Sequence, residues 1–451
     1  MRILVVGMGQ VGRYLVQYLA RDGHDLVVID NSSEALEAIT EMVDVQTVVG
    51  HGSAQKVLQT AEAGAADICI AATDSDEVNI LAALSARKLG VRRTIARVAN
   101  RAYYTNPGGY ERGVLGVDLI INPQILAASE IHRTLRAATG VLELRRFADN
   151  RVEMVSMDIK NETRWLGKPL REVPVPPGAL VVAVERGDKL VVPRGDTVVE
   201  MGNRLHLLGD IDTLPRMEEL FGLERRGGLK HVIIAGCGEV GFEVARTLEL
   251  DGIDTTVIEI DEDRAELVSG ELSKALVLHG DARDLALLKQ EGIERTDAFL
   301  ALTREDEINM MTSLVAKDLG ARRVISLMHR SDAIAMCRRY GIEASVSPRR
   351  ATAEHILRQV RVRSCVSVAL VNEGAGEILE IVVPESCRAV GRDLMYLEFP
   401  SGALVGTVVR DGSVWIPSGT DALQPNDTVL VFALPEARPA IEDLFRERSG
   451  A

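Results

Sequence analysis

The sequence predicts an α/β protein made by tandem duplication, with two doubly wound parallel sheets, each followed by a small α+β lobe. Three observations predict it. Short apolar segments alternate with segments of helical spacing, the pattern of parallel sheets covered on both faces. A loop of the form G-x-G-x-x-G comes after the first apolar segment of each half, at Gly7, Gly9 and Gly12 in "MRILVVGMGQVGR" and at Gly236, Gly238 and Gly241 in "KHVIIAGCGEVGF". Each glycine of the second loop lies 229 residues after its counterpart (236 − 7 and 241 − 12), and the segments beyond each loop repeat in the same order.

In the first half, strands are expected at Ile3 to Val6, Leu26 to Ile29, Thr47 to Val49, Ile68 to Ala71 and Thr94 to Val98. Between the first two, "RYLVQYLARDG" places Leu15, Tyr18 and Leu19 on one helical face, and Gly23 ends the helix. Gly252 stands at the same distance in the second half. "LVVID" then matches "TTVIE", "HGSA" matches "HGDA", and "ADICIAATDSDEVN" matches "TDAFLALTREDEIN". A final helix closes each copy. Asn122 with Pro123 and Ser347 with Pro348 are the cap-and-proline starts, and Gly140 can end the first of these helices.

The remaining segments also match each other, with Gly167 over Gly391 in "RWLGKPLREV" and "RAVGRDLMYL". They are rich in short strands with Gly and Pro turns, including hairpins at Gly187-Asp188 and Asp411-Gly412. The expected division is therefore 1–139 for the first dinucleotide-type domain, 140–221 for the first lobe and 222–229 for a linker, then 230–362 and 363–451 for the second pair.

Composition agrees. The chain has 451 residues, of which 46% are apolar, enough for several cores and inconsistent with wholesale disorder. No run of 18 apolar residues is free of charge, so no membrane span is expected. The N-terminal strand enters the glycine loop at once, and no signal peptide is expected. Five scattered cysteines (Cys69, Cys237, Cys337, Cys365 and Cys387) without a C-x-x-C pair predict reduced thiols. A net charge of −14, with only short arginine pairs, argues against nucleic acid as a partner.

The glycine loops carry the chemistry. The first glycine permits a tight turn, the second lets a pyrophosphate approach the backbone, and the third lets helix and strand pack closely; this is the Rossmann fingerprint. Amides at the helix start then face the anion. An acid at the end of the next strand can accept both ribose hydroxyls. Asp30 lies 23 residues after Gly7 and Glu259 lies 23 after Gly236, which favours NAD over its 2′-phosphorylated form. Met8, Gln10 and Val11 complete the first loop. Arg13 comes directly after its last glycine and can reach a phosphate, whereas the second copy has Phe242 there. Thr73 and Asp74 close the fourth strand at the carboxyl edge where ligands of open α/β sheets bind, and Thr303 repeats the first of them. Arg97 on the fifth strand offers a cation, and its counterpart is Leu327. Asp76 and Asp306 read as helix N-terminal charge.

No acid–base apparatus accompanies this site. The lobes hold one histidine, His206, which reads as structural; His51 and His279 read as cleft-lining or turn residues, and no metal motif is present. A duplicated nucleotide binder without catalytic residues fits a sensor. An NAD-dependent oxidoreductase with an unrecognised substrate site, and a metabolite-binding regulator of an antiporter, are the alternatives.

The order "VVGMGQVGRYL", "DGHDLVVID", "GSA", "AATDSDEVN", proline-led helix and β-rich lobe resembles the regulator of potassium conductance family over essentially the whole chain. Two copies in one chain resemble the tandem-domain regulatory subunits of the Trk potassium-uptake system. The resemblance implies a cytoplasmic protein on the inner face of the cell membrane, gating a potassium channel or transporter subunit of the TrkH or TrkG type. It implies NAD(H), and ATP or ADP, as ligands of Gly7 to Val11, Asp30, Thr73, Asp74 and Arg97, with Gly236, Gly238, Gly241, Glu259 and Thr303 as second-copy positions. It also implies a homo-oligomer, dimer or tetramer, in which the helices led by Pro123 and Pro348 cross between subunits.

Overall fold

The structure is a computed structural model that describes residues 1–103, 110–136, 141–159, 165–187, 189–221, 229–342, 344–360 and 365–447. Gly140, Asp188 and residues 222–228 of the expected linker lie outside the described residues.

The first copy runs β1 (Arg2–Val6), α1 (Gln10–Arg21), β2 (Asp25–Asp30), α2 (Ser33–Thr40), β3 (Gln46–Val49), α3 (Gln55–Thr60), β4 (Ile68–Ala71), α4 (Asp76–Lys88), β5 (Arg93–Arg97), β6 (Tyr110–Arg112), β7 (Leu119–Ile121) and α5 (Pro123–Arg136). Its lobe is β8 (Val141–Phe147), β9 (Val152–Asp158), β10 (Ala179–Arg186), β11 (Lys189–Val191), β12 (Arg204–Asp210) and α6 (Leu214–Leu220). The second copy runs β13 (His231–Ala235), α7 (Glu239–Leu250), β14 (Asp254–Glu259), α8 (Glu262–Glu271), β15 (Leu276–His279), α9 (Leu285–Gln290), β16 (Ala298–Ala301), α10 (Asp306–Asp318), β17 (Val324–Leu327), α11 (Ser331–Arg339), β18 (Ala344–Val346) and α12 (Pro348–Val360). Its lobe is β19 (Cys365–Val371), β20 (Gly376–Val382), β21 (Ala403–Arg410), β22 (Ser413–Trp415), β23 (Thr428–Ala433) and α13 (Arg438–Leu444).

Both large sheets are doubly wound, in the orders β3-β2-β1-β4-β5-β7-β6 and β15-β14-β13-β16-β17-β18. The strand order reverses between β1 and β4, and between β13 and β16, which opens a crevice beyond the carboxyl ends of those strands. The first sheet carries an edge strand that the apolar pattern did not reveal, since β6 runs antiparallel to β7. The lobes are antiparallel, in the orders β11-β10-β12-β9-β8 and β19-β20-β23-β21-β22. The hairpin between β21 and β22 turns on Asp411 (φ 48°) and Gly412 (φ 84°), the two positive φ values of a type I′ turn.

The chain divides into two compact units that sort like with like. One holds Met1–His132 and Lys230–Val360, and the other holds Arg133–Leu229 and Arg361–Ala451. In the first unit, α12 of the second copy packs on α1 of the first. The Arg349 guanidinium lies 5.6 Å from the centre of the Tyr14 ring, and Arg350 Nη2 pairs with Glu130 on α5 at 3.4 Å. The proline-led α12 therefore packs against the first copy within this chain. In the second unit the lobes share one core, with Met154, Val182 and Leu208 from one sheet against Ile378, Leu430 and Phe432 from the other. His206 is buried in the first lobe's sheet, its Nδ1 2.8 Å from Ser156 Oγ.

Candidate nucleotide-binding site

Each glycine of the first loop meets a different constraint. Gly7 has φ +98°, and a Cβ there would stand 2.8 Å from Thr73 Cγ2 and from the Thr73 amide nitrogen. A Cβ on Gly12 would stand 1.9 Å from the Gly7 carbonyl oxygen. Gly9 has nothing within 4 Å of its Cβ position, so its face is open to a ligand. The second loop repeats this pattern at Gly236 against Thr303 (2.9 Å), Gly241 against the Gly236 carbonyl (2.2 Å) and open Gly238. No side chain caps the starts of α1 and α7, so their first amides are available to an anion. Gln10 and Val11 open α1 behind Gly9.

The acid after the second strand is held by backbone. Asp30 Oδ2 accepts the Met8 amide at 2.5 Å, and Oδ1 accepts the Ser32 amide at 2.8 Å. Each carboxylate oxygen has further acceptor capacity, which two ribose hydroxyls can use. Glu259 is engaged more fully. Its Oε2 accepts the Cys237 amide at 2.5 Å, and Oε1 accepts the amides of Ile260 (2.9 Å) and Asp261 (3.1 Å).

The far wall is the carboxyl end of β4. The Thr73 amide and hydroxyl both donate to Asn79 Oδ1, at 2.8 and 2.7 Å, and Asn79 Nδ2 donates to the carbonyls of Thr73 and Arg97. Asn79 is fully buried. The motif pattern did not single it out, although its signal was visible: Asn309 does the same for Thr303 at the same six-residue spacing. Arg97 Nη1 donates to the Thr73 carbonyl at 2.9 Å. Burial lowers its pKa, against the opposing pull of Asp76 and Asp74. Asp76 is a buried tie and not merely helix-start charge, since its carboxylate accepts the amides of Ala99 and Asn100. Asp306 likewise holds the amides of His329 and Arg330.

These elements enclose a cleft of about 460 Å³ in the first copy, lined among others by Gly7, Met8, Gly9, Asp30, Ala35, His51, Thr73 and Asp74. Arg13 folds back so that its Nε donates to the Met8 carbonyl at 2.8 Å. The second loop, expected to lack such an arginine, has one after all. Phe242 does replace Arg13, but Arg264 Nε donates to the Cys237 carbonyl at 2.9 Å from a different helix, α8. Leu327 is buried, and β17 brings no cation at Arg97's place.

Residues 3–123 and 232–348 match the TrkA-N domain, and residues 154–222 and 378–446 match the TrkA-C domain. The chain is 34% identical over 455 residues to the Trk system potassium uptake protein TrkA homolog 2 of Methanosarcina mazei, covering 99% of this chain and 100% of the relative. Its fold is similar to that of the GsuK channel bound to NAD, with a TM-score of 0.58 at 19% identity over 98% of this chain and 78% of that one. The GsuK structure bound to ADP is similar at a TM-score of 0.50 and 17% identity, over 80% of this chain and 69% of that one. Among the described residues no helix is long and apolar enough to cross a membrane. With tandem domains of both types and a relative matched over its whole length, the chain belongs to the TrkA family of Trk-system potassium-uptake proteins.

Proposed function

We propose that the chain is a cytoplasmic regulatory subunit that binds NAD(H), and ATP or ADP, in the first cleft and gates a membrane potassium channel or transporter subunit of the TrkH or TrkG type. The observation that carries this reading is the 460 Å³ cleft in which an open glycine face, Asp30 and the Thr73 edge converge. Gly7, Met8, Gly9, Gln10, Val11 and Gly12 cradle the pyrophosphate with the first amides of α1. Asp30 takes the adenosine ribose hydroxyls and disfavours a 2′-phosphate. Arg13 reaches a terminal phosphate, Thr73 and Asp74 form the opposite wall, and Arg97 offers its charge from behind it, where it donates to the Thr73 carbonyl. The NAD and ADP named with the GsuK structures support this ligand class.

A bound nucleotide changes activity only through unequal affinity for two arrangements of the protein. The Rossmann domains (1–139 and 230–362) are the moving parts, the lobes (140–221 and 363–451) are their companions, and 222–229 joins the halves. A dimer or tetramer of chains on the inner face of the membrane transmits the change. The test is reconstitution of the membrane subunit with this chain, measuring potassium flux with and without NADH or ATP. A nucleotide-dependent flux that disappears in Asp30→Ala is expected, and a flux indifferent to nucleotide overturns the reading.

A further inference from the structure

The two glycine loops are clamped on the same carbonyl from different helices. In the first copy Arg13 reaches Met8 from α1, and Ala35 on α2 leaves the adenosine side of the cleft open. In the second, Arg264 occupies the place of Ala35 (264 − 229 = 35) and reaches the Cys237 carbonyl. Its stem therefore runs from the first turn of α8 to the glycine loop, over ground that is open in the first copy. Arg264 Nη2 also stands 3.5 Å from Glu239 Oε1. Glu239 is the first residue of α7, where the first copy has Gln10 (239 − 229 = 10). A helix start beside a glycine loop is where a ligand's phosphate would sit.

We propose that the second cleft excludes the nucleotides the first copy binds: the Glu239 carboxylate at the start of α7 repels an incoming phosphate, and its pairing with Arg264 spends the cation that would receive one. The inference rests on the reading of the first cleft as a nucleotide site. An incoming phosphate at Gly236 to Gly241 meets a like charge in Glu239, and the cation that would receive it is already neutralised. Glu259 adds to the closure, because three amides occupy its oxygens where two occupy those of Asp30. The pair is partly solvated, with side-chain exposures of 28% for Arg264 and 56% for Glu239, so it is held weakly enough for one substitution to release it. Restoring the first copy's residue, Glu239→Gln, removes the repulsion and frees the arginine together.

The test is a calorimetric titration of the full chain with NADH and with ADP. Gly9→Glu closes the first cleft without steric cost, since that Cβ position is open. The wild type is expected to bind one nucleotide per chain and Gly9→Glu none. The double variant Gly9→Glu, Glu239→Gln is expected to regain one site, at least tenfold tighter than any residual binding of Gly9→Glu. Adding Arg264→Ala to it is expected to weaken that site again. A site that survives in Gly9→Glu overturns the proposal. So does failure of Gly9→Glu, Glu239→Gln to bind while it melts like Gly9→Glu. A wild type that binds nothing overturns the reading of the first cleft instead, and a site gained by Glu239→Gln alone then still supports the closure.

Discussion

Asn79→Ala separates the fold from the site, because the protein carries its own control. Asn79 makes four hydrogen bonds of 2.7 to 3.0 Å that tie Thr73 to β5, and Asn309 makes the same four around Thr303. Alanine removes all four. The Thr73 hydroxyl keeps a contact to the Ser75 carbonyl, and the Thr73 carbonyl keeps Arg97. The loss therefore falls chiefly on the Thr73 amide and the Arg97 carbonyl. Both groups are only partly buried, so at the lower part of the roughly 1–3 kcal/mol range for each stranded group the cost is about 2–4 kcal/mol. Asn309→Ala strands the corresponding groups and is expected to cost at least as much. The two variants should thus lower the melting temperature alike, by roughly 5–10 °C for that loss. They should differ in binding. Thr73 lines the cleft and is held against Gly7, so Asn79→Ala is expected to weaken NADH at least tenfold, and Asn309→Ala by less than twofold. Fluorescence titration with NADH, alongside thermal melting of the same samples, reads both effects. Equal melting losses with unchanged NADH affinity in Asn79→Ala would refute the assignment of the Thr73 edge to the site.

Three further outcomes are expected. Gly12→Ala places a Cβ 1.9 Å from the Gly7 carbonyl and should cost about 1–3 kcal/mol along with nucleotide binding, whereas Gly9→Ala, with an open Cβ position, should melt like the wild type. Burial pushes the Cys69 and Cys237 thiols up to about 12, so both should resist alkylation at pH 8 in the native protein and react on unfolding, as mass mapping can follow. Burial alone would raise the pKa of Asp297, but the amides of Lys230 and His231 and the Arg322 guanidinium hold it below its ordinary value. Its contribution to stability is present above the ordinary carboxylate pKa of about 4 and is lost as pH falls through the lowered value, so Asp297→Asn should flatten that part of an acid titration followed by circular dichroism.

Much of the fold was legible because the duplication repeats every signal. Glycine spacing, Asp30 and Glu259, the Thr73 and Thr303 ends and the capped proline helices all lie in local sequence, and local geometry comes directly from them. Asn122 Oδ1, for example, accepts the amides of Gln124 and Ile125, as a cap should. The features that local sequence did not reveal were tertiary. Phe242 stands opposite Arg13 in the repeat, but an arginine that arrives from another helix leaves no mark at that position. Asn79 looked like any polar residue in a helix until its partners were in place. Asp76 looked like surface charge because its ligands are amides 23 and 24 residues away. The sorting of like copies into common units depends on which helix faces meet, and connecting segments do not specify that.

Nucleotide binding in the first cleft without chemistry on the nucleotide, as proposed above, is tested most directly by a fluorescence titration of the full chain with NADH, with the nicotinamide absorbance followed for an hour afterwards. Saturable binding without consumption, competed by NAD or ATP and lost in Asp30→Ala, is the predicted result. Absence of saturable binding, or steady consumption of NADH on addition of a metabolite, would contradict it.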